Sequence, residues 1–201
     1  MQTLILASKS QRRIKIMKKI FSSFNTIKAL EPEDIVKLLN AREHTRRMAE
    51  YKAVWIALRN PNSIIIASDT LVEIDHKKLQ KPKNAKMAKK YLEMISSKKF
   101  CVYTSTCICY FGIKQKMKCT KWTKKCNIKC KKLTRKEIND YIKTDLWREK
   151  AGGFNILQKP ASTWFFAKKN ELNTIAGLDD QGLIKRAKKI NALAYLLKKN
   201  H

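Results

Sequence analysis

Ser63-Ile64-Ile65-Ile66-Ala67-Ser68-Asp69-Thr70 is the stretch whose reading decides the fold. An isoleucine run with no charge before Asp69 reads as a strand buried on both faces, and open α/β sheets hold their ligands at the carboxyl ends of such strands. The pattern therefore predicts a strand that ends at Asp69, and Leu71-Val72-Glu73-Ile74-Asp75-His76-Lys77 reads as a strand entering a turn. A solitary Asp there is ordinarily a turn former, but a second segment changes its meaning. Leu4-Ile5-Leu6-Ala7-Ser8-Lys9-Ser10-Gln11-Arg12-Arg13 runs from an apolar strand through a polar turn into a basic helix start. Unpaired N–H groups at a helix start, hydroxyls beside them and fixed charge from Arg12 and Arg13 favour a phosphate.

Further elements follow outward from these two strands. Thr3 to Ala7 is a strand and Gln11 to Phe21 a helix burying Ile14, Met17 and Phe21; Phe24 to Ala29 is a second strand. Glu31-Pro32-Glu33-Asp34 opens a helix, with Pro near its start and acids in the first turn. The next helix runs from about Thr45 to Leu58, with Met48, Tyr51, Trp55 and Leu58 on its apolar face. Asn84 caps a helix to about Ile95, and Thr134 with Glu137 has capping-box spacing for another to Lys143. Phe100 to Phe111 and Met117 to Cys130 are long strands joined near Gly112; Thr163 to Ala167 is a short strand, and Asp180 to Lys198 a final helix. Mixed order of this kind predicts a layered α/β fold in one domain over residues 1–201.

Composition bounds the function. The chain has 201 residues and 44% hydrophobic content, enough to bury a sizeable core. Its 45 Lys and Arg against 16 Asp and Glu give a net charge of +29, which suits a polyanion. The lysines are spread along the whole chain with no aromatic interleaving, so no localised nucleic-acid stripe emerges. No apolar stretch reaches the ~18 residues of a membrane span. The first 30 residues lack acids and imitate a transit peptide. They also contain the first strand and its turn, so they read as mature, cytoplasmic protein. The six cysteines lie between Cys101 and Cys130 without a C-x-x-C pair, which argues against a zinc cluster and for reduced thiols.

Several short motifs recur in a telling order: the segment 4–13, Lys52-Ala53, Ser68-Asp69-Thr70, Lys81-Pro82, Val102-Tyr103-Thr104, Trp147-Arg148-Glu149-Lys150-Ala151-Gly152-Gly153-Phe154 and Ala176-Gly177-Leu178. In these the chain resembles the Maf, or septum-formation-inhibitor, family of nucleoside triphosphate pyrophosphatases, from Leu4 to about Leu183. It departs from the family pattern at Gln11 and at Asp179-Asp180, where Pro is usual, and Gln158 stands one residue later than the family's Gln.

The resemblance implies a layered mixed-sheet Maf/ITPase-like fold, an elongated central sheet flanked by helices. It also implies hydrolysis between the α and β phosphates, giving a nucleoside monophosphate and pyrophosphate. Asp69 would activate water or hold a divalent cation, Mg or Mn, with Glu33 as a second metal ligand. Ser8, Arg12, Arg13, Lys52 and Lys81 would bind the phosphates. Arg12 and Thr70 place the chain with the dTTP and UTP branch, and Gln158 would read the base. A homodimer suits the family. The competing reading is a basic nucleic-acid-binding protein on a catalytically decayed Maf-like fold, held by salt-sensitive contacts.

Overall fold

Parallel pairing begins the sheet, because each early strand is followed by a helix that carries the chain back across it. In the computed structural model, which describes residues 2–30, 38–112 and 115–198, β1 (Thr3–Leu6) pairs in parallel with β2 (Asn25–Thr26) and with β3 (Ser63–Ile74). Two helices, α1 (Gln11–Ile20) and α2 (Ala41–Ala57), supply the crossovers that parallel strands require. β2 is shorter than the sequence suggests, and the helix expected at Glu31–Asp34 lies outside the described residues.

β3 does not stop at Asp69. It continues through Leu71 and Val72 to Ile74, turns at Asp75 and His76, and returns as β4 (Lys77–Leu79), antiparallel to it. Both turn residues have positive φ, 48° and 58°, the geometry that matches a two-residue hairpin to strand twist. Asp69 is therefore held by strand neighbours on both sides, more rigidly than a turn residue would be. β5 (Lys99–Phe111) starts one residue earlier than expected, and β6 (Met117–Cys130) has the expected bounds. They form an antiparallel hairpin closed by Gly112 N–H to Lys116 O at 2.9 Å, with Ser105 facing Thr123 and Cys109 facing Cys119.

The chain gathers into two compact units, and β3, β5 and β6 contribute residues to each. The first comprises Met1–Asp69, Thr104–Lys124 and Gly177–His201. Its strands stand in the order β2-β1-β3-β5-β6. Strand alternation sends Ile5, Ala7, Ile65, Ala67, Cys107 and Cys109 to one face, where they pack against Ala49, Ala53, Ile56 and Ala57 of α2. The small alanines let α2 lie close to the sheet. The intervening residues Leu4, Leu6, Ile64 and Ile66 are also buried, and α1 packs with α6 (Asp180–Ala187). The single long C-terminal helix expected from the sequence is broken. Ile190 is extended, with φ −115° and ψ 102°, and a short α7 (Asn191–Ala194) follows it.

The apolar face read for α2 is also rotated in the structure. Met48 is buried as expected, but Tyr51 and Trp55 are half-buried and Leu58 is exposed. The inward positions are instead Ala41, His44, Thr45, Ala49, Lys52, Ala53, Ile56 and Ala57, a face with a buried lysine at its centre. Trp55 carries Arg59 stacked 4.0 Å from its ring.

The second unit comprises Thr70–Tyr103 and Lys125–Ala176. Here β7 (Phe165–Phe166) pairs antiparallel with β6, so parallel and antiparallel pairings coexist and the sheet is mixed, as the sequence implies. α3 (Ala85–Ile95) starts where Asn84 accepts the Met87 N–H, and α4 (Arg135–Lys143) starts at the Thr134–Glu137 capping box. An aromatic cluster of Phe100, Phe154, Phe165, Trp164 and Tyr141 centres the core. A last short helix, α5 (Leu172–Ala176), ends the unit. Gly152 has φ +68°, and a Cβ there would press on Val72 and Phe154, so this turn requires glycine. Among the described residues, no helix is long and apolar enough to cross a membrane.

Candidate functional site

Ser8 organises the turn between β1 and α1. Its Oγ accepts the Ser10 N–H at 3.2 Å and an Arg13 Nη1 proton at 3.4 Å. Arg13 then reaches across the unit, where its Nε donates to the Gly177 carbonyl at 2.9 Å. The same carbonyl lies 2.8 Å from Ser68 Oγ, which is also 2.9 Å from the carbonyl of Ser105. A hydroxyl has one proton, so Ser68 shares it between two carbonyls. Three chain segments that the sequence keeps far apart are thereby tied to one point, the residue before Asp69.

Asp69 itself points the other way. On a strand, neighbours face opposite sides, so Ser68 meets Gly177 while Asp69 meets α2. Lys52 Nζ donates to Asp69 Oδ1 at 2.8 Å, with the lysine side chain 2% exposed and the aspartate side chain 15% exposed. A buried ammonium–carboxylate pair is a poor way to gain stability, because desolvation of both ions offsets their attraction. Stability alone therefore does not account for this pair, which makes it a candidate for chemistry. The partial exposure is confined to the aspartate, so the carboxylate is the member that can meet a ligand.

Sequence reasoning gave no role to several polar contacts of the first unit. Ser105 Oγ lies 2.8 Å from Thr45 Oγ1 and 2.7 Å from Thr123 Oγ1, a hydroxyl chain linking α2, β5 and β6. Lys121 Nζ of β6 meets Glu50 of α2 at 2.5 Å. Asp179, which replaces the proline of the family pattern, is buried and accepts the Trp122 Nε1–H at 2.8 Å. Lys124 Nζ stands 3.8 Å from its other oxygen, and Arg186 stacks 4.0 Å from the Trp122 ring. Asp179 has thus been given structural work that a proline could not do. The sequence signal for Ser68 and Ser105 is polarity inside otherwise apolar runs, and that for Asp179 is its departure from the family's proline.

The remaining expected site residues have the following places. Arg12 is half-buried in the first turn of α1. Thr70 follows Asp69 directly on β3. In the second unit, Lys81 Nζ is 3.4 Å from Glu149, both exposed, and Gln158 Oε1 accepts from Asn155 Nδ2 at 3.1 Å with the glutamine exposed. Glu33 lies outside the described residues.

A divalent cation suits the donor chemistry at Asp69. Magnesium takes hard oxygen ligands and commonly uses only one or two carboxylates, with waters and substrate phosphates completing the shell. Asp69 offers one such oxygen donor at a partly exposed position. Among the described residues, the one cluster of three ligating side chains is sulfur-only, Cys107, Cys109 and Cys119, unsuited to that metal.

The comparisons with known proteins agree with the motif order. The Maf-like protein family profile matches residues 3–190. The dTTP/UTP pyrophosphatase of Wolbachia sp. subsp. Brugia malayi (strain TRS) is 31% identical over 179 residues, covering 89% of this chain and 88% of that protein. The dTTP/UTP pyrophosphatase of Pyrococcus abyssi is 35% identical over 156 residues, 76% of this chain and 78% of its own. That of Bacillus pumilus is 34% identical over 165 residues, covering 80% and 82%. Among solved structures, a nucleoside-triphosphatase, dITP/XTP pyrophosphatase, from Mycobacterium abscessus aligns over 100% of both chains with 12% identity and a TM-score of 0.41, a slight likeness.

Proposed function

The chain belongs to the Maf-like family, and from that membership we propose that it is a metal-dependent nucleoside triphosphate pyrophosphatase acting on dTTP and UTP. The observation that carries the proposal is the Lys52–Asp69 pair, a buried cation holding a partly exposed carboxylate at 2.8 Å on the family's Ser-Asp-Thr strand.

Splitting the bond between the α and β phosphates puts two demands on the protein. Charge building on the phosphoryl and leaving oxygens must be met, and the attacking water must lose a proton. Asp69 accepts that proton, its orientation fixed by Lys52 and by strand neighbours on both sides. The first turn of α1 presents N–H groups with Arg12 beside them, a seat for phosphate. Arg13 holds the turn in place through Ser8 and Gly177. The family's Lys-Pro motif implies a phosphate-binding role for Lys81, whose Nζ lies 3.4 Å from Glu149. A divalent cation, Mg or Mn, would be held by Asp69, with Glu33 as its second ligand, and when bound it neutralises charge on the phosphate oxygens.

Pyrimidine choice is supported by the names of the relatives, and the family resemblance implies the same branch from Arg12 and Thr70. Gln158 would read the carbonyl and N–H edge of the base. Polyanion binding follows separately from the +29 charge, as a diffuse, salt-screened attraction for nucleic acid.

The test is pyrophosphate release from dTTP, UTP, CTP, GTP and ATP with Mg²⁺ or Mn²⁺, and with chelator. Turnover of dTTP and UTP that stops with chelator is the expected result. Metal-independent turnover would remove the cation from the reading. No turnover of any triphosphate, with tight RNA binding, would overturn the reading itself.

A further inference from the structure

Three cysteines in the first unit take no part in the chemistry above. Cys107 and Cys109 are two apart on β5 and so share a face, the one that packs against α2. Cys119 lies on β6 opposite Cys109. The hairpin register brings them together. A ladder bond at Gly112–Lys116 makes every second pair a hydrogen-bonded one, which leaves Ser105–Thr123 and Cys109–Cys119 in the other set, where strands approach more closely. The Cα atoms of Cys109 and Cys119 are 4.3 Å apart and their sulfurs are joined as a disulfide. The sequence reading of wholly reduced thiols does not hold for this pair. Cys107 remains a free thiol, yet all three sulfurs lie within 4.8 Å of one another.

We propose that Cys109 and Cys119 form a reversible dithiol–disulfide site on the β5–β6 hairpin, whose co-reactant is a low-molecular-weight disulfide and for which Cys107 is a reserve third sulfur. Accessibility sets the order of events. Cys119 is exposed, while Cys107 and Cys109 are buried. The Cys119 thiolate attacks one sulfur of the small disulfide, forming a mixed disulfide and releasing one small thiolate, which takes up a proton. Cys109 then gives up its proton and its sulfur attacks Cys119 Sγ, forming the protein disulfide and releasing the second small thiol. Two protein thiols are oxidised and one small disulfide is reduced to two thiols. A small thiolate runs the sequence backwards, starting at Cys119 because that sulfur is the reachable one.

Cys107 does not compete. Burial, with Glu50 nearby, pushes its thiol up to about 12, against a smaller opposing pull from Lys121, so it stays protonated and weakly nucleophilic. Three sulfurs together also suit a soft cation. Cys109 and Cys119 are already joined, which leaves one free sulfur in the cluster and favours sulfur exchange instead.

The test uses the full chain, equilibrated with glutathione and glutathione disulfide at graded ratios, then quenched with acid, alkylated in denaturant and mapped by mass spectrometry. Reduced protein should alkylate at all six cysteines. Oxidised protein should lose two sites, Cys109 and Cys119, recovered in one cross-linked peptide and returned by dithiothreitol. Cys119→Ser, at an exposed position, should abolish the link while leaving the circular dichroism spectrum unchanged. Cys109→Ser should move the link to Cys107 and Cys119, more slowly because that buried thiol stays protonated; no link in this variant would remove Cys107 as the reserve sulfur and overturn that part of the proposal. Full alkylation at every ratio would overturn the proposal, as would links spread equally over Cys101, Cys126 and Cys130. Reduced protein that retains one Cd²⁺ and resists oxidation until chelated would make the cluster a metal site and overturn it too.

Discussion

Replacing Lys52 by Met isolates the charge of the buried pair, since Met keeps most of the aliphatic stem and loses only the ammonium. Asp69 would then be left with its carboxylate turned toward an apolar helix face. Removing one partner of a fully buried pair costs about 3–5 kcal/mol. The Asp69 side chain is 15% exposed, so water relieves part of that, and about 2–4 kcal/mol is expected. For a chain of this size, 3 kcal/mol corresponds to a fall in Tm of about 6–12 °C. The double variant Lys52→Met/Asp69→Asn should recover part of the loss, because no uncompensated ion remains. A coupling of about 1.5–3 kcal/mol in the double-mutant cycle is expected for a charged hydrogen bond. Urea unfolding of the four proteins measures it. A Lys52→Met protein within about 0.5 kcal/mol of the parent, with coupling below the same bound, would refute the claim that this pair is formed and desolvated. Turnover supplies a second readout: Lys52→Ala and Lys81→Ala should each depress pyrophosphate release strongly and barely alter RNA affinity, being two of 45 cationic side chains.

Other outcomes are open to measurement. Asp69→Asn should fold and lose at least ~10² in turnover, as expected for loss of a general base; near-normal release from the folded variant would remove Asp69 from that role. Gln158→Ala should erode the preference for UTP and dTTP over GTP more than it lowers overall rate, and unchanged ratios of kcat/KM would take Gln158 out of base reading. Asp179→Ala should cost about 1–3 kcal/mol by leaving the Trp122 N–H without its acceptor, read from urea midpoints. In alkali, burial raises the Cys107 thiol from 9.0 to about 12 and the Cys130 thiol from 9.0 to about 11. The folded state keeps protons that the unfolded state releases, so stability should fall as pH rises above about 9, by up to about 1.4 kcal/mol per pH unit for each thiol. A Cys107→Ala/Cys130→Ala variant should show a shallower decline; an equal slope would contradict the burial argument.

The long strands were legible because their signal is local. Apolar runs at Ile64–Ile66 and Phe100–Phe111, and the caps at Asn84 and Thr134, each depend on a few adjacent residues. What failed was decided at a distance. Asp69 was read as a strand end because a charge normally stops a buried run, but Lys52 neutralises it and the strand continues. The α2 face was assigned by size, whereas the structure turns alanines and a lysine inward. The motif order gathered Ser8, Arg13, Lys52 and Asp69, which contacts in the first unit join directly or through Gly177 and Ser68. It could not show their contacts: Arg13 and Ser8 also hold the turn, a fact visible only from their partners.

Because Ser68 and Asp69 look in opposite directions from one strand, the identity of the site depends on parity. Sliding β3 by a single residue against β1 would hand the carboxylate to Gly177 and offer α2 a hydroxyl, leaving Lys52 facing no anion and turning the carboxylate toward a carbonyl that can only repel it. A one-residue deletion between Asn62 and Ser68 should therefore abolish activity even if a sheet still forms. A two-residue change restores the odd-even sense and fails less completely. The length of this strand is in effect a counting device, and evolution can vary what the residues are far more freely than how many of them there are.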